Sequence, residues 1–160
     1  MLERTASDAT PRDDAVRLLA RREYSRAELV ERLAAKGHAD DSIAECLDDL
    51  AEQGLQSDAR FAESFLRSRI FRGQGPVKIR LELERRGLCR EEVQAAFAAS
   101  EQAGEADWSG LACAALARRF TGPGDTPRER ARRERFLASR GFDFDQVRHA
   151  LAHAWDSTSD

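Results

Sequence analysis

Three glycines, Gly37, Gly87 and Gly141, stand in one recurring local pattern, and that recurrence constrains the fold more than any other feature of the chain. Four residues before each glycine is a leucine: Leu33, Leu83 and Leu137. Directly before each is a cation: Lys36, Arg86 and Arg140. Six residues after each is a β-branched side chain (Ile43, Val93, Val147), and ten after is Leu47, Phe97 or Leu151. A pattern repeated at this scale means one supersecondary unit used several times. Each glycine suits the left-handed position just past a helix end. The cation before it favours the negative pole of the ending helix. The later pairs, spaced i and i+4, put an apolar stripe on the helix that follows.

Helix starts agree with these ends. Ser25 with Glu28 forms a capping box, Gly75 precedes a first-turn proline at Pro76, and Thr126, Pro127 and Glu129 combine a cap, a proline and a first-turn acid. The middle helix of each unit is therefore expected over 26–36, 76–86 and 127–140, the third longer by about one turn. An upstream helix opens each unit. Thr10-Pro11 starts one that turns Val16, Leu19 and Ala20 inward. Ser57 caps one carrying Phe61, Phe65, Leu66 and Ile70, and Asp107 caps one carrying Leu111, Ala115, Leu116 and Phe120. No stretch alternates strictly, and alanine, leucine, arginine and glutamate dominate, so helix is expected throughout. The expected fold is all-α: three tandem three-helix repeats over 10–54, 55–102 and 105–156, forming an elongated, curved array whose neighbours share buried surface. Linkers are expected at 53–56, 100–105 and 121–125, and a disordered tail after Trp155.

Charge is distributed by module. The total over 160 residues is -3, yet from His38 to Asp58 there are seven acids and no Lys or Arg. From Leu66 to Arg90 eight cations stand against Glu82 and Glu84, and a second basic run spans Arg128 to Arg140. An acidic front thus precedes a basic middle and rear. Within the middle helix, Glu84 with Arg80, and Glu82 with Lys78 or Arg86, are at the spacing of ordinary surface pairs. Most carboxylates are expected to be solvated.

Several function classes have no support. No apolar run approaches the roughly 20 residues a bilayer helix needs, and residues 1–14 carry acids without an apolar run, unlike a secretory signal. A cytoplasmic location is expected. Cys46, Cys89 and Cys113 are odd in number and form no CxxC, so neither a disulfide framework nor a zinc site is expected; Cys46 and Cys113 read as small hydrophobes. His149 and His153 are four apart but have no third ligand nearby, so no metal is expected. Phe61, Phe65, Phe97, Trp108 and Phe136 read as core, and Tyr24 as a staple onto Leu29. There is no phosphate-binding loop of the Walker type, no GxSxG and no HExxH, so neither catalysis nor a cofactor is expected.

The ordered motifs resemble those of the RecX regulatory proteins. The middle unit carries the likeness best: Ser57-Asp58, Arg60-Phe61-Ala62, Arg67, Arg69, Arg72, Gly75-Pro76, Lys78-Ile79, Leu81-Glu82-Leu83 and Arg86-Gly87-Leu88. Tyr24-Ser25, Glu28-Leu29 and Leu33 to Gly37 add to it in the first unit, and Arg135-Phe136-Leu137, Arg140-Gly141-Phe142 and Val147 in the third. The chain departs from the family in its scarcity of lysine, and in His38, which follows Gly37 where the other units have Leu88 and Phe142. The resemblance implies three tandem three-helix repeats and a monomer that lies in the groove of RecA–DNA filaments. It implies inhibition of RecA's ATPase, coprotease and strand-exchange activities, with DNA, single- or double-stranded, contacted without sequence reading and with no membrane partner. The expected contact residues are Arg67, Arg69, Arg72, Lys78, Arg85, Arg86, Arg128, Arg132 and Arg135. Guanidinium groups suit phosphates and carboxylates alike. Lys78 and Arg85, seven apart, share a helix face. Two other classes stay open at this point: a helical module that binds DNA without RecA, and a helical-repeat scaffold that engages proteins through its acidic front.

Overall fold

Side-chain caps set where the helices begin. Thr10, Ser25 and Thr126 accept the N–H groups of Asp13, Glu28 and Glu129, whose carboxylates reach back to the cap backbone. Asp143 with Gln146 makes a fourth such box, which the sequence reading did not single out. Ser57 and Asp107 accept the N–H groups of Arg60 and Gly110. Each such cap stabilises its helix by about 1 kcal/mol. The computed structural model describes residues 9–156, so residues 1–8 and the end of the expected tail, 157–160, lie outside the described residues.

Among the described residues the chain forms nine α-helices and no strand: α1 (Pro11–Leu19), α2 (Arg26–Ala35), α3 (Asp40–Glu52), α4 (Asp58–Phe71), α5 (Pro76–Arg85), α6 (Arg90–Gln102), α7 (Trp108–Arg119), α8 (Pro127–Ser139) and α9 (Phe144–His153). They fall into three triplets, in each of which the first and third helices pack together and the middle helix closes the side. The expected middle helices are α2, α5 and α8, and α8 has 13 residues against 10 for the other two. Gly37, Gly87 and Gly141 end them at φ of 92°, 91° and 95°.

Each triplet has its own core. The first gathers Ala15, Tyr24, Leu29, Leu33, Ile43, Leu47 and Leu50. The second centres on Phe61, Phe65, Ile79, Leu83, Val93 and Phe97. The third centres on Ala112, Leu116, Leu137, Phe142, Val147 and Ala150. Leu33, Leu83 and Leu137, the leucines of the repeat, are all fully buried. Tyr24 and Leu29 share one core, as a staple requires. Trp108 opens α7 yet packs on the second core, its ring 5.6 Å from that of Phe97 and its Nε1–H donated to Glu101.

Three expectations fail locally. In α1 Leu19 packs on the first core as expected, but the buried residues are Asp14 and Ala15, while Val16 is 40% exposed and Ala20 lies past the helix end. The helix is rotated from its expected face because Asp14 has internal partners: His38 Nε2 at 2.6 Å and Lys36 Nζ at 3.4 Å. Asp14 is thus an exception to the solvated carboxylates. Counted from the helix cap, Asp14 occupies the position of Phe61 in α4 and Leu111 in α7. His38 stands where Leu88 and Phe142 stand, so a polar contact between His38 and Asp14 replaces an apolar one. The linker expected over 100–105 is half helix: α6 runs to Gln102 and Ser100 is buried. The surface pairs expected along α5 are also absent, because Glu82 pairs with Arg69 of α4 and Arg86 with Glu28 of α2.

Candidate functional site

The middle helices meet head to tail, and these meetings place the basic residues. At the junction of the second and third triplets, Gly75 N–H donates to the Arg140 carbonyl at 2.7 Å and Val77 N–H to that of Gly141 at 2.9 Å. The free donors at the start of α5 are satisfied by the last carbonyls of α8, positive helix pole against negative. The approach needs two glycines. A Cβ on Gly75 would enter the Gly141 backbone, and one on Gly141 would strike Lys78. At the junction of the first and second triplets, Ser25 Oγ donates to the Arg86 carbonyl at 2.8 Å, and Arg26 N–H donates to Asp58 at 2.8 Å. Gly87 lies against Ala27 there. Glu28 accepts from Ser25 N–H at 3.0 Å and pairs with Arg22 at 3.2 Å and Arg86 at 2.8 Å. Burial pushes the Glu28 carboxyl up, but the Ser25 N–H and the two guanidinium groups outweigh it and hold it below the usual glutamate range.

This framework sorts the nine expected contact residues. Arg86 belongs to the first junction, its guanidinium also 5.0 Å from the Phe65 ring. Arg69 pairs with Glu82 at 3.3 Å and lies over Phe65 at 4.5 Å, with both partners mostly buried. Arg67 makes an exposed pair with Glu105 at 3.3 Å. Arg72, Lys78, Arg85, Arg128, Arg132 and Arg135 are exposed and make no ion pair or side-chain hydrogen bond among the described residues; Arg132 only faces the Phe120 ring at 6.0 Å. All six belong to the second and third triplets. In the first triplet and its border, Arg22, Arg26, Lys36 and Arg60 are held in ion pairs, as in Arg26–Asp48 at 2.8 Å and Arg60–Glu23 at 3.1 Å, while Arg17, Arg21 and Arg32 are exposed without one.

The fold also gathers cations that the sequence reading did not name. Arg72, just past α4, meets Arg118 and Arg119 from the end of α7 and Arg140 from the end of α8 around a cavity of about 210 Å³, with Gly73, Ala115 and Phe136 completing its wall. The signal in the sequence was the doublet Arg118-Arg119, which by itself reads as a cationic helix end.

Burial pushes the Cys46 and Cys113 thiols up, and a hydrogen bond with Glu92 does the same for Cys89, so none is activated as a thiolate. His153 Nδ1 lies 2.7 Å from Asp156 beside His149, and no group of three metal-ligating side chains forms among the described residues. No helix there is long and apolar enough to cross a membrane.

Known proteins share this architecture. Models of the RecX first, second and third three-helix domains match residues 12–50, 57–96 and 109–151 in order. The regulatory protein RecX of Chromohalobacter salexigens is 65% identical over 155 residues, covering 96% of this chain and 99% of that one. The RecX of Halorhodospira halophila is 45% identical over 156 residues, covering 96% and 94%. The crystal structure of RecX from Lactobacillus salivarius superposes with a TM-score of 0.74 over 90% of this chain and 94% of that one, at 20% identity, a likeness of fold alone. With all three domains matched in order and 65% identity over 155 residues to a relative covered almost end to end, the chain belongs to the RecX family of regulatory proteins.

Proposed function

We propose that this protein binds RecA–DNA filaments in the cytoplasm and restrains RecA's ATPase, coprotease and strand-exchange activities, and so acts in homologous recombination, DNA repair and the SOS response. The observation that carries this reading is the split in charge compensation. In the second and third triplets Arg72, Lys78, Arg85, Arg128, Arg132 and Arg135 are among many exposed cations without an ion pair or side-chain hydrogen bond, while the first triplet pairs Arg22, Arg26 and Lys36 and leaves only Arg17, Arg21 and Arg32 so exposed. Uncompensated guanidinium groups favour phosphates and carboxylates, which a nucleoprotein filament presents together. Arg72, Lys78, Arg85, Arg128, Arg132 and Arg135 form the contact surface; Arg67 joins it by exchanging a weak exposed pair for a phosphate or carboxylate. Arg69 and Arg86 support that surface from within. The acidic α3 faces the protein part of the filament or solvent.

Titration of RecA's DNA-dependent ATPase with the purified protein tests this. Inhibition that saturates in proportion to filament is expected. Folded protein without effect over that range would reject it, and salt-sensitive DNA binding to which RecA adds nothing would mark a DNA-binding module instead.

A further inference from the structure

We infer that the cavity between α5, the end of α6 and the starts of α7 and α9 is a docking site for a basic, amphipathic helix of a partner protein. That helix seats apolar side chains on Val77, Leu81 and Trp108 and sets lysines or arginines against Glu84, Glu101 and Asp143. The site goes beyond the proposed filament contact: none of the six exposed contact cations lines it, and its chemistry selects against phosphate.

The apolar floor comes first. Along α5, Ile79 and Leu83 fill the second core. Val77 and Leu81, one turn apart on the outer side, stay 56% and 45% exposed. A second apolar stripe on a helix whose inner face is already packed has no task in its own core. Both side chains line a cavity of about 510 Å³ at the border of the second and third triplets. Trp108 closes it from α7, fixed by stacking on Phe97 at 5.6 Å and by its Nε1–H, donated to Glu101 at 3.2 Å.

The charge around this floor is opposite to that of its surroundings. Glu84, Glu101 and Asp143 line the cavity against one cation, Arg80, whose guanidinium lies over the Phe97 ring at 4.6 Å. The Glu84 carboxylate has no partner among the described residues. Glu101 and Asp143 each use one oxygen, for the Trp108 indole and for Gln146 N–H at 2.8 Å, and leave the other free. Helix poles do not reverse the sign. The starts of α7 and α9 add about +0.5 each, the end of α6 adds about -0.5, and the start of α5 is already set against α8, so the cavity stays at about -1.5.

The same features choose the occupant. A nucleic-acid strand would bring phosphates to an acidic rim. An extended peptide would bring unpaired backbone groups, and no strand edge exists among the described residues to receive them. A helix makes its backbone bonds internally and offers apolar side chains at the one-turn spacing of Val77 and Leu81. A second copy of this chain lacks the matching stripe, because no other helix among the described residues carries two exposed large apolar side chains. The partner is therefore a different protein, with cations flanking the apolar face of its helix.

The test uses the full chain, isotope-labelled for nuclear magnetic resonance, and two designed probes. One is a helical peptide of leucine and lysine with its leucines on one face; the other has glutamate in place of lysine. The leucine–lysine peptide should shift the indole N–H signal of Trp108 and leave that of Trp155, in the third core, unmoved. Val77→Ser/Leu81→Ser should weaken its binding about tenfold, the scale of two partly exposed side chains losing their cover. Glu84→Gln should weaken it about threefold, the scale of one exposed charge pair. Asp41→Asn/Glu45→Gln, which removes two exposed acids from α3, should leave affinity in place.

The inference is overturned if the Trp108 signal does not move, if the leucine–glutamate peptide binds as tightly, or if the α3 variant loses as much affinity as the α5 variant. A Trp108 shift produced by oligo-dT would overturn it in favour of nucleic acid. The same shift on concentrating the chain alone would overturn it in favour of a second copy. Circular dichroism of each variant keeps a folding defect from passing as lost binding, and Leu81→Met, which retains the apolar floor, should bind as the wild type does. Because RecA is absent, failure here would leave filament regulation standing.

Discussion

The two junctions between triplets solve one problem with different chemistry. Both set the start of one middle helix against the end of the next. The second does it with backbone, Gly75 and Val77 donating to the carbonyls of Arg140 and Gly141. The first does it with side chains: Ser25 to the Arg86 carbonyl, Asp58 to Arg26 N–H, and Glu28 to Arg86. A junction made of backbone is indifferent to pH and intolerant of any added atom. A junction made of carboxylates tolerates small changes of shape and depends on ionisation. The first triplet carries the same dependence into its interior, where Asp14 and His38 stand in for Phe61 and Leu88.

The sharpest way to break this comparison is Gly141→Ala. Its Cβ would strike Lys78 at a positive φ, so overpacking and backbone strain together should cost about 3–4 kcal/mol in chemical denaturation. Gly37→Ala is the control: at the same φ it has nothing within 4 Å, and only the backbone cost of about 1–2 kcal/mol should appear. Equal losses would mean that the close approach is not tight.

Asp14→Ala comes next. It leaves His38 and Lys36 without their buried partner and should cost about 3 kcal/mol. Asp14→Phe combined with His38→Leu, copying the second triplet, should recover that loss or exceed it. Failure of the double variant would show that the polar contact is more than a substitute for packing.

Acid should then separate the two regions. Asp14 is held below its ordinary 3.8 by the His38 hydrogen bond, with burial opposing and Lys36 assisting. Glu28 is held below its ordinary 4.5 even though burial opposes it. Both folded values are depressed. The stability they supply is complete above those ordinary values and is lost as pH falls through the lower folded ones. Below about pH 4 the first triplet should loosen before the others. Trp108 and Trp155 lie on the second and third cores, so tryptophan fluorescence should hold while far-ultraviolet dichroism already falls. Coincident transitions would contradict the division.

The smallest effect on stability is expected from Lys78→Ala with Arg85→Ala, within about 0.5 kcal/mol, because both are exposed and neither has an internal partner. The same pair should reduce inhibition of RecA's ATPase measurably. Inhibition equal to wild type would remove this face of α5 from the contact surface.

Much of this was legible in the residues. Caps and glycines act within one turn, so Ser25 with Glu28, Thr126 with Glu129 and Gly87 could be assigned without knowing the fold. The repeated leucine, β-branched and i+4 positions also marked the cores, because burial of a stripe follows from helical period alone. The candidate site was less legible. Arg69 and Arg86 looked like their exposed neighbours, and their partners, Glu82 and Glu28, lie 13 and 58 positions away. The face of α1 was misjudged because a period scan ranks Asp14 as polar and cannot see His38 closing over it.

What the sequence by itself determined is the number of triplets, their helical nature and the residues at their centres, since these depend on interactions a few positions apart. Only the tertiary structure decided how the triplets join and which arginines remain uncompensated. That Gly75 must be glycine to admit the backbone of Gly141, and that Arg72 meets Arg140 across a cavity, depends on atoms far apart in the chain. Charge compensation is set by distance in space, and local pattern carries no measure of it.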